Sequence, residues 1–207
     1  MVKGENYLQK VYLLSLGCPK NLIDSENMLH VIKDNNFQVT DIPEEADIAV
    51  VNTCAFIGDA KEESVDCILE LAEMKENKLQ KLIVTGCLSQ RYSDELMKEV
   101  PEIDGIIGTG RYEDINNLID ELNKNNEKIN LVDDIKKYTE YKELKREKIT
   151  PKHYAYLRIA EGCDNFCTYC IIPGIRGKYR SRKIEDIKKE AEGLVSSGVK
   201  ELMIIAE

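Results

Sequence analysis

No stretch of the chain approaches the roughly 20 consecutive apolar residues that a membrane-spanning helix requires. The first thirty residues also carry no basic-then-apolar leader with a small-residue cleavage site. The expectation is a cytoplasmic protein with no membrane partner. Positive charge is in deficit: 29 Lys and Arg against 38 Asp and Glu leave a formal net charge of -9. That balance excludes a protein that coats nucleic acid through a broadly basic surface, although a local basic patch can still meet phosphate. Histidine is nearly missing, with only two in 207 residues. His30 lies in a helical pattern and reads as ordinary packing, and His153 precedes the cysteine-rich stretch by ten residues, so neither completes a cysteine site there.

A composition of 43% hydrophobic and 32% charged residues is that of a soluble globular chain. Over the first two-thirds, short β-branched apolar runs alternate with helical patterns: "KVYLLSL", "DIAVVNT", "KLIVTG" and "EIDGIIGTG" are each followed by an amphipathic stretch. Buried strands separated by helices require a parallel sheet covered on both faces. The fold class expected is α/β, a doubly wound parallel sheet over residues 1–132. Residues 133–150, "DDIKKYTEYKELKREKIT", are densely charged and read as a linker over the surface. From residue 151 a second β/α unit begins: "YAYLRIA" as strand, "KIEDIKKEAEGLVSSG" as helix and "VKELMIIA" as strand. One such unit cannot close a barrel, so residues 151–207 are expected to be the incomplete beginning of a second domain.

Seven cysteines is an odd number, and in a reducing compartment cysteines more often hold metal or do chemistry than form disulfides. Cys18, Cys54 and Cys87 each follow an expected strand, in "VYLLSLGC", "IAVVNTC" and "LIVTGC". In an open parallel sheet the carboxyl ends of the strands share one edge, where such folds bind ligands. A single cysteine there reads as a small buried core residue; three at the same structural position point to a shared metal or cluster site.

Cys163, Cys167 and Cys170 stand in "EGCDNFCTYCIIPGIRG" with the spacing C-x3-C-x2-C. One loop can wrap three such thiolates around a single centre, and Gly162 permits the sharp turn that starts it. Structural zinc normally closes with four ligands, and no fourth is near. A four-iron cubane held by three thiolates leaves one iron free to bind something else.

This loop, with Tyr169 before its last cysteine, resembles the signature of radical S-adenosylmethionine (SAM) enzymes. The resemblance implies an open iron chelated by the amino and carboxylate groups of SAM, and cleavage of SAM to a 5′-deoxyadenosyl radical. An upstream α/β domain with three further cysteines is similar to the methylthiotransferases, where the corresponding triad, here Cys18, Cys54 and Cys87, binds a second [4Fe-4S] cluster. "SLGCPKNLIDSE", "VNTCAFIGDAKEES", "VTGCLSQRY" and "CTYCIIPGIRGKYRSR" look most like the RimO type, the ribosomal protein aspartate methylthiotransferases. The tRNA-modifying MiaB type usually has other residues than Pro19 and Lys20 after the first cysteine. The family pattern implies that one SAM methylates a sulfur held at the upstream cluster. A second SAM provides the radical that takes hydrogen from the β-carbon of an aspartate in the twelfth small-subunit ribosomal protein, with an external electron donor and a sulfur donor as further partners. An unactivated C–H bond offers no acidic proton to a general base, so a radical cofactor suits the task.

Other residues invite two readings. Arg176 to Lys183, "RGKYRSRK", is either a solvated approach to the next helix, with Ser181 as cap, or a basic edge that receives the SAM carboxylate or an acidic substrate, with Arg176 foremost. Asp24 reads as the cap of a helix beginning near Ser25 rather than as a cluster-edge group. Cys67 falls opposite the apolar stripe of its helix and reads as a bystander. Besides the ribosomal-protein enzyme, two alternatives stand: the same chemistry on a tRNA adenosine, and, were the chain complete, a non-catalytic metal-binding or electron-carrying module. "GTGRYED" is too short a glycine pattern for a dinucleotide site.

Overall fold

The computed structural model describes residues 8–35, 37–125, 127–141 and 145–206. Residues 1–7 of the first domain, 142–144 in the middle of the charged stretch, and Glu207 lie outside the described residues. The elements alternate from the start: β1 (Lys10–Ser15), α1 (Pro19–Lys33), β2 (Gln38–Thr40), β3 (Ile48–Thr53), α2 (Gly58–Glu73), β4 (Lys81–Gly86), α3 (Cys87–Glu99), β5 (Gly105–Ile107), α4 (Ile115–Asn125) and β6 (Ile129–Leu131). All six strands are parallel in one sheet of order β2-β1-β3-β4-β5-β6.

The side-chain pattern explains why the sheet is wrapped on both faces. Along β3, Ile48 and Val50 enter a core with Met28 and Ile32 of α1 and Leu118 and Leu122 of α4. The alternate residues Ala49 and Val51 enter a second core with Ile68 and Leu71 of α2 and Leu88 and Leu96 of α3. Continuous apolar runs are therefore required, because each successive residue faces a different set of helices. The chain goes from β1 out to β2 and then crosses back to β3, so the strand order reverses between β1 and β3. That is the switch point at which open α/β sheets have their crevice. β2 and β6, three residues each, were not expected from the sequence; at this length alternation gives too few positions to register.

After residue 150 a parallel pair forms between β7 (Tyr154–Arg158) and β10 (Glu201–Ile205), joined through α6 (Ile184–Ser196). Between them β8 (Ala160–Glu161) and β9 (Arg180–Ser181) pair antiparallel, with the short helix α5 (Ile172–Arg176) inside the loop they enclose. Two local expectations are corrected. The first helix begins at Pro19 rather than near Ser25, because proline's fixed φ preorganises a first turn directly behind the extended Cys18. Ser181 lies in β9, and α6 starts at Ile184 behind Lys183 with no side-chain cap.

The charged segment is fastened rather than free. Arg146 donates to the buried carboxylate of Glu26 at 2.9 Å and to the Tyr156 carbonyl at 2.6 Å, and pairs with Glu190 at 2.7 Å. The Ile149 N–H donates to the other Glu26 oxygen at 2.9 Å, and the Glu147 N–H to the Glu26 carbonyl at 2.9 Å. One acidic residue of α1 thus anchors the connecting segment, which in turn holds β7 and α6. Removing one partner of a buried pair leaves an uncompensated charge, which costs about 3–5 kcal/mol. Arg146→Met is expected to lose stability on that scale in urea unfolding, whereas Lys98→Met, at an exposed pair with Glu99, is expected to change it by less than about 1 kcal/mol.

Candidate metal centre

Each upstream cysteine occupies the turn at the carboxyl end of a strand beside the switch point. Cys18 follows β1 and is the extended residue before α1; Cys54 directly follows β3; Cys87 directly follows β4 and opens α3. Three buried polar side chains hold these turns together. Asn21 donates to the Leu16 carbonyl at 3.0 Å and to the Thr53 carbonyl at 2.8 Å, which ties the turn bearing Cys18 to the one bearing Cys54. The Thr53 hydroxyl donates to the Thr85 carbonyl at 2.5 Å, linking β3 to the strand that leads into Cys87. The Cys54 N–H donates to the Ser64 hydroxyl at 3.0 Å. Gly17 adopts φ +86°, and a Cβ there would stand 2.7 Å from the Cys54 Cβ and 3.1 Å from its sulfur. Only glycine lets these two turns approach so closely.

The downstream loop is closed at its base. Ala160 pairs with Ser181 and Glu161 with Arg180, while the Cys163 N–H donates to the Gly177 carbonyl at 3.1 Å. Gly162 has φ +78°, the turn expected from the sequence, and a Cβ there would meet the Lys178 carbonyl oxygen at 2.2 Å. Inside the loop the Cys170 N–H donates to the Cys167 carbonyl at 2.9 Å.

A cavity of about 520 Å³ is lined by Cys18, Cys54 and Cys87, and also by Cys170, Phe56, Ile57, Ile172, Ile175 and Arg176. The whole upstream triad therefore meets one member of the downstream set, Cys170, across a largely apolar space. Cys163 and Cys167 are not on its wall, Tyr169 is 90% exposed, and Cys67 lies apart on α2. Among the described residues no three Cys, His, Asp or Glu side chains are gathered tightly enough for one metal ion. A tetrahedral zinc needs its sulfurs roughly 4 Å apart, since Zn–S is about 2.3 Å. A cluster binds each thiolate through a different iron, so its ligands stand farther apart and fill a larger space. A roomy pocket with three thiols on its rim fits that donor set better than it fits a single ion.

Three of the five basic residues of "RGKYRSRK", Arg176, Arg180 and Arg182, are buried rather than solvated, whereas Lys178 and Lys183 are exposed. Arg176 is 2% exposed, and its Nη1 donates to Asp24 at 2.6 Å and Glu161 at 2.8 Å. Its Nη2 donates to Asn21 Oδ1 at 2.5 Å and to Cys87 Sγ at 3.5 Å. Asp24, expected as a helix cap, lies within α1, fully buried, with its second oxygen accepting from Arg158 at 2.7 Å. Burial alone would raise the Asp24 carboxyl, but Arg176 and Arg158 overcome it and hold it below its ordinary value. For Arg176 burial opposes the charge, yet Cys87, Tyr112, Asp24 and Glu161 together push it well above the ordinary arginine value. Burial raises the Cys87 thiol, with Arg176 acting against it. No local pattern marks this cluster, since Asp24 and Arg176 are 152 positions apart.

Comparison with known proteins agrees with both halves of this arrangement. Residues 10–108 match the model of the uncharacterized protein family UPF0004, and residues 157–206 match that of the radical SAM superfamily. The chain is 48% identical over 205 residues to the ribosomal protein uS12 methylthiotransferase RimO of Thermoanaerobacter sp. (strain X514), covering 97% of this chain and 45% of that protein. In both halves the chain is similar to the radical SAM methylthiotransferases. Similar relatives of the same name occur in Clostridioides difficile (strain 630), 52% identical over 199 residues, and Clostridium tetani (strain Massachusetts / E88), 52% identical over 203 residues; each alignment covers 96% of this chain and 44% of the relative. The chain thus spans about half the length of the curated relatives it matches. No helix among its described residues is long and apolar enough to cross a membrane.

Asp24→Asn leaves Arg158 and Arg176 buried with one carboxylate fewer, and is expected to cost about 3–5 kcal/mol at neutral pH. The folded carboxyl titrates below its unfolded value of about 3.9, so its stabilisation is complete above that pH and disappears as pH falls through the lower folded value. Urea midpoints should therefore differ widely between wild type and variant at pH 7 and converge under strongly acidic conditions.

Proposed function

We propose that this chain provides the cluster-binding portion of a methylthiotransferase that modifies the β-carbon of an aspartate in the ribosomal protein uS12. It would use SAM and two [4Fe-4S] clusters, with an external electron donor and a sulfur donor. The observation that carries this reading is the single cavity in which the upstream triad faces Cys170 of the C-x3-C-x2-C loop. A reaction that passes sulfur held at one centre to a carbon activated at another needs the two centres to open on a common space. The similar relatives, each a ribosomal protein uS12 methylthiotransferase by name, favour the ribosomal protein over tRNA as substrate.

Cys163, Cys167 and Cys170 would hold one cluster, and Cys18, Cys54 and Cys87 the other. When bound, such clusters supply an open iron for SAM, an electron for its cleavage, and an iron that can carry sulfur. The chain's own residues do the rest. Phe56, Ile57, Ile172 and Ile175 make the walls of the cavity largely apolar. Asn21 and Gly17 set the spacing of the Cys18 and Cys54 turns. Gly162 and the β8–β9 pairing fix the mouth of the downstream loop. Tyr169, exposed beside Cys170, would contact SAM, as the family resemblance implies.

Iron, acid-labile sulfide and zinc should be measured per chain after anaerobic reconstitution, on wild type and on Cys163→Ala and Cys54→Ala. About eight irons in wild type, falling to about four in each variant, is the expected result. Stoichiometric zinc without sulfide would overturn the reading.

A further inference from the structure

We infer that Arg176 is a positioning residue for the upstream thiol triad, reaching from the radical SAM portion into the N-terminal domain to orient Cys87 and set the electron affinity of a cluster held there. The inference rests on the proposed upstream cluster. It follows from how the two ends of one guanidinium are used. Nη1 is fully engaged by the ion pairs with Asp24 and Glu161, at 2.6 and 2.8 Å. Those pairs account for a buried cation at this position, and they need only one nitrogen. The other nitrogen, Nη2, is turned to Asn21 Oδ1 at 2.5 Å and Cys87 Sγ at 3.5 Å.

Asn21 makes that second contact more than a local one. Its amide nitrogen donates to the carbonyls of Leu16 and Thr53, just ahead of Cys18 and Cys54, while its oxygen accepts from Arg176. Through a single planar fork, Arg176 thus bears on the turns of all three upstream cysteines. A hydrogen bond and a positive charge at a cluster's sulfur ligand favour the more electron-rich state and raise the reduction potential. Lysine would keep the charge but not the fork, because an ammonium on a flexible stem cannot reproduce the two fixed directions. A residue that only glues the domains would not affect the electronic properties of the cluster.

The test isolates the upstream cluster by replacing Cys163, Cys167 and Cys170 with alanine in the full chain, followed by anaerobic reconstitution. Midpoint potential and electron paramagnetic resonance spectrum are then compared with and without Arg176→Lys. The expected result is an unchanged content of about four irons, a midpoint moved to more negative potential, and an altered spectrum. The downstream cluster, isolated by alanines at Cys18, Cys54 and Cys87, should show no shift. An upstream midpoint and spectrum identical to the parent's would overturn the inference while leaving the proposed function standing. A parent that takes up no iron at this triad would overturn the cluster assignment and the inference with it. If Arg176→Lys does not fold, Arg176→Gln, which keeps an amide donor without the charge, is read the same way: a negative shift supports the role and an unmoved midpoint rejects it.

Discussion

The carboxylate of Asp24 is the group on which this molecule turns. It belongs to the first helix of the N-terminal sheet, yet both of its oxygens are taken by arginines of the second unit, Arg158 from β7 and Arg176 from α5. A buried ion pair adds little net stability over an apolar contact of the same shape, but it tolerates almost no misalignment. Its value here is geometric. With Asp24 as the shared reference, β7, the cysteine loop and α5 have one position relative to the three strand-end cysteines. The neighbouring anchor at Glu26, two residues along α1, fixes the connecting segment in the same way.

This arrangement explains why α1 is unusual for a helix that covers a sheet. Met28 and Ile32 face the core as expected, but Asn21, Asp24, Ser25, Glu26 and Asn27 are buried as well. The helix has an apolar contact with the sheet and a polar contact with the second unit. Polar burial on that scale is tolerable only where each group has a partner, and here the partners lie more than a hundred positions away for Asp24 and Glu26.

That distance also separates what was legible in the sequence from what was not. The parallel sheet could be read because β3 and β4 carry the apolar runs 48–51 and 82–84 and are buried along their length. The two cysteine groups could be read because position after a strand, in one case, and tight spacing, in the other, are local properties of the chain. Pro19 was a local marker too, and it could have placed the helix start correctly and removed Asp24 from the capping role. The arginines could not be sorted by pattern. Arg176, Arg180 and Arg182 look like a hydrophilic run because charge is visible in sequence and a distant counter-charge is not. The short edge strands β2 and β6 escaped for a different reason, since three residues give no measurable alternation.

The cavity wall has a bearing on the order of events in the cell. Three of the residues that enclose the upstream thiols, Ile172, Ile175 and Arg176, are contributed by α5. During synthesis the sheet with Cys18, Cys54 and Cys87 leaves the ribosome first, and at that stage its thiol pocket is open along one side with the Asp24 carboxylate facing water. The pocket acquires its last wall only when α5 has emerged and docked. The thiol pocket is therefore a joint property of the two units and cannot be complete before the second has folded onto the first.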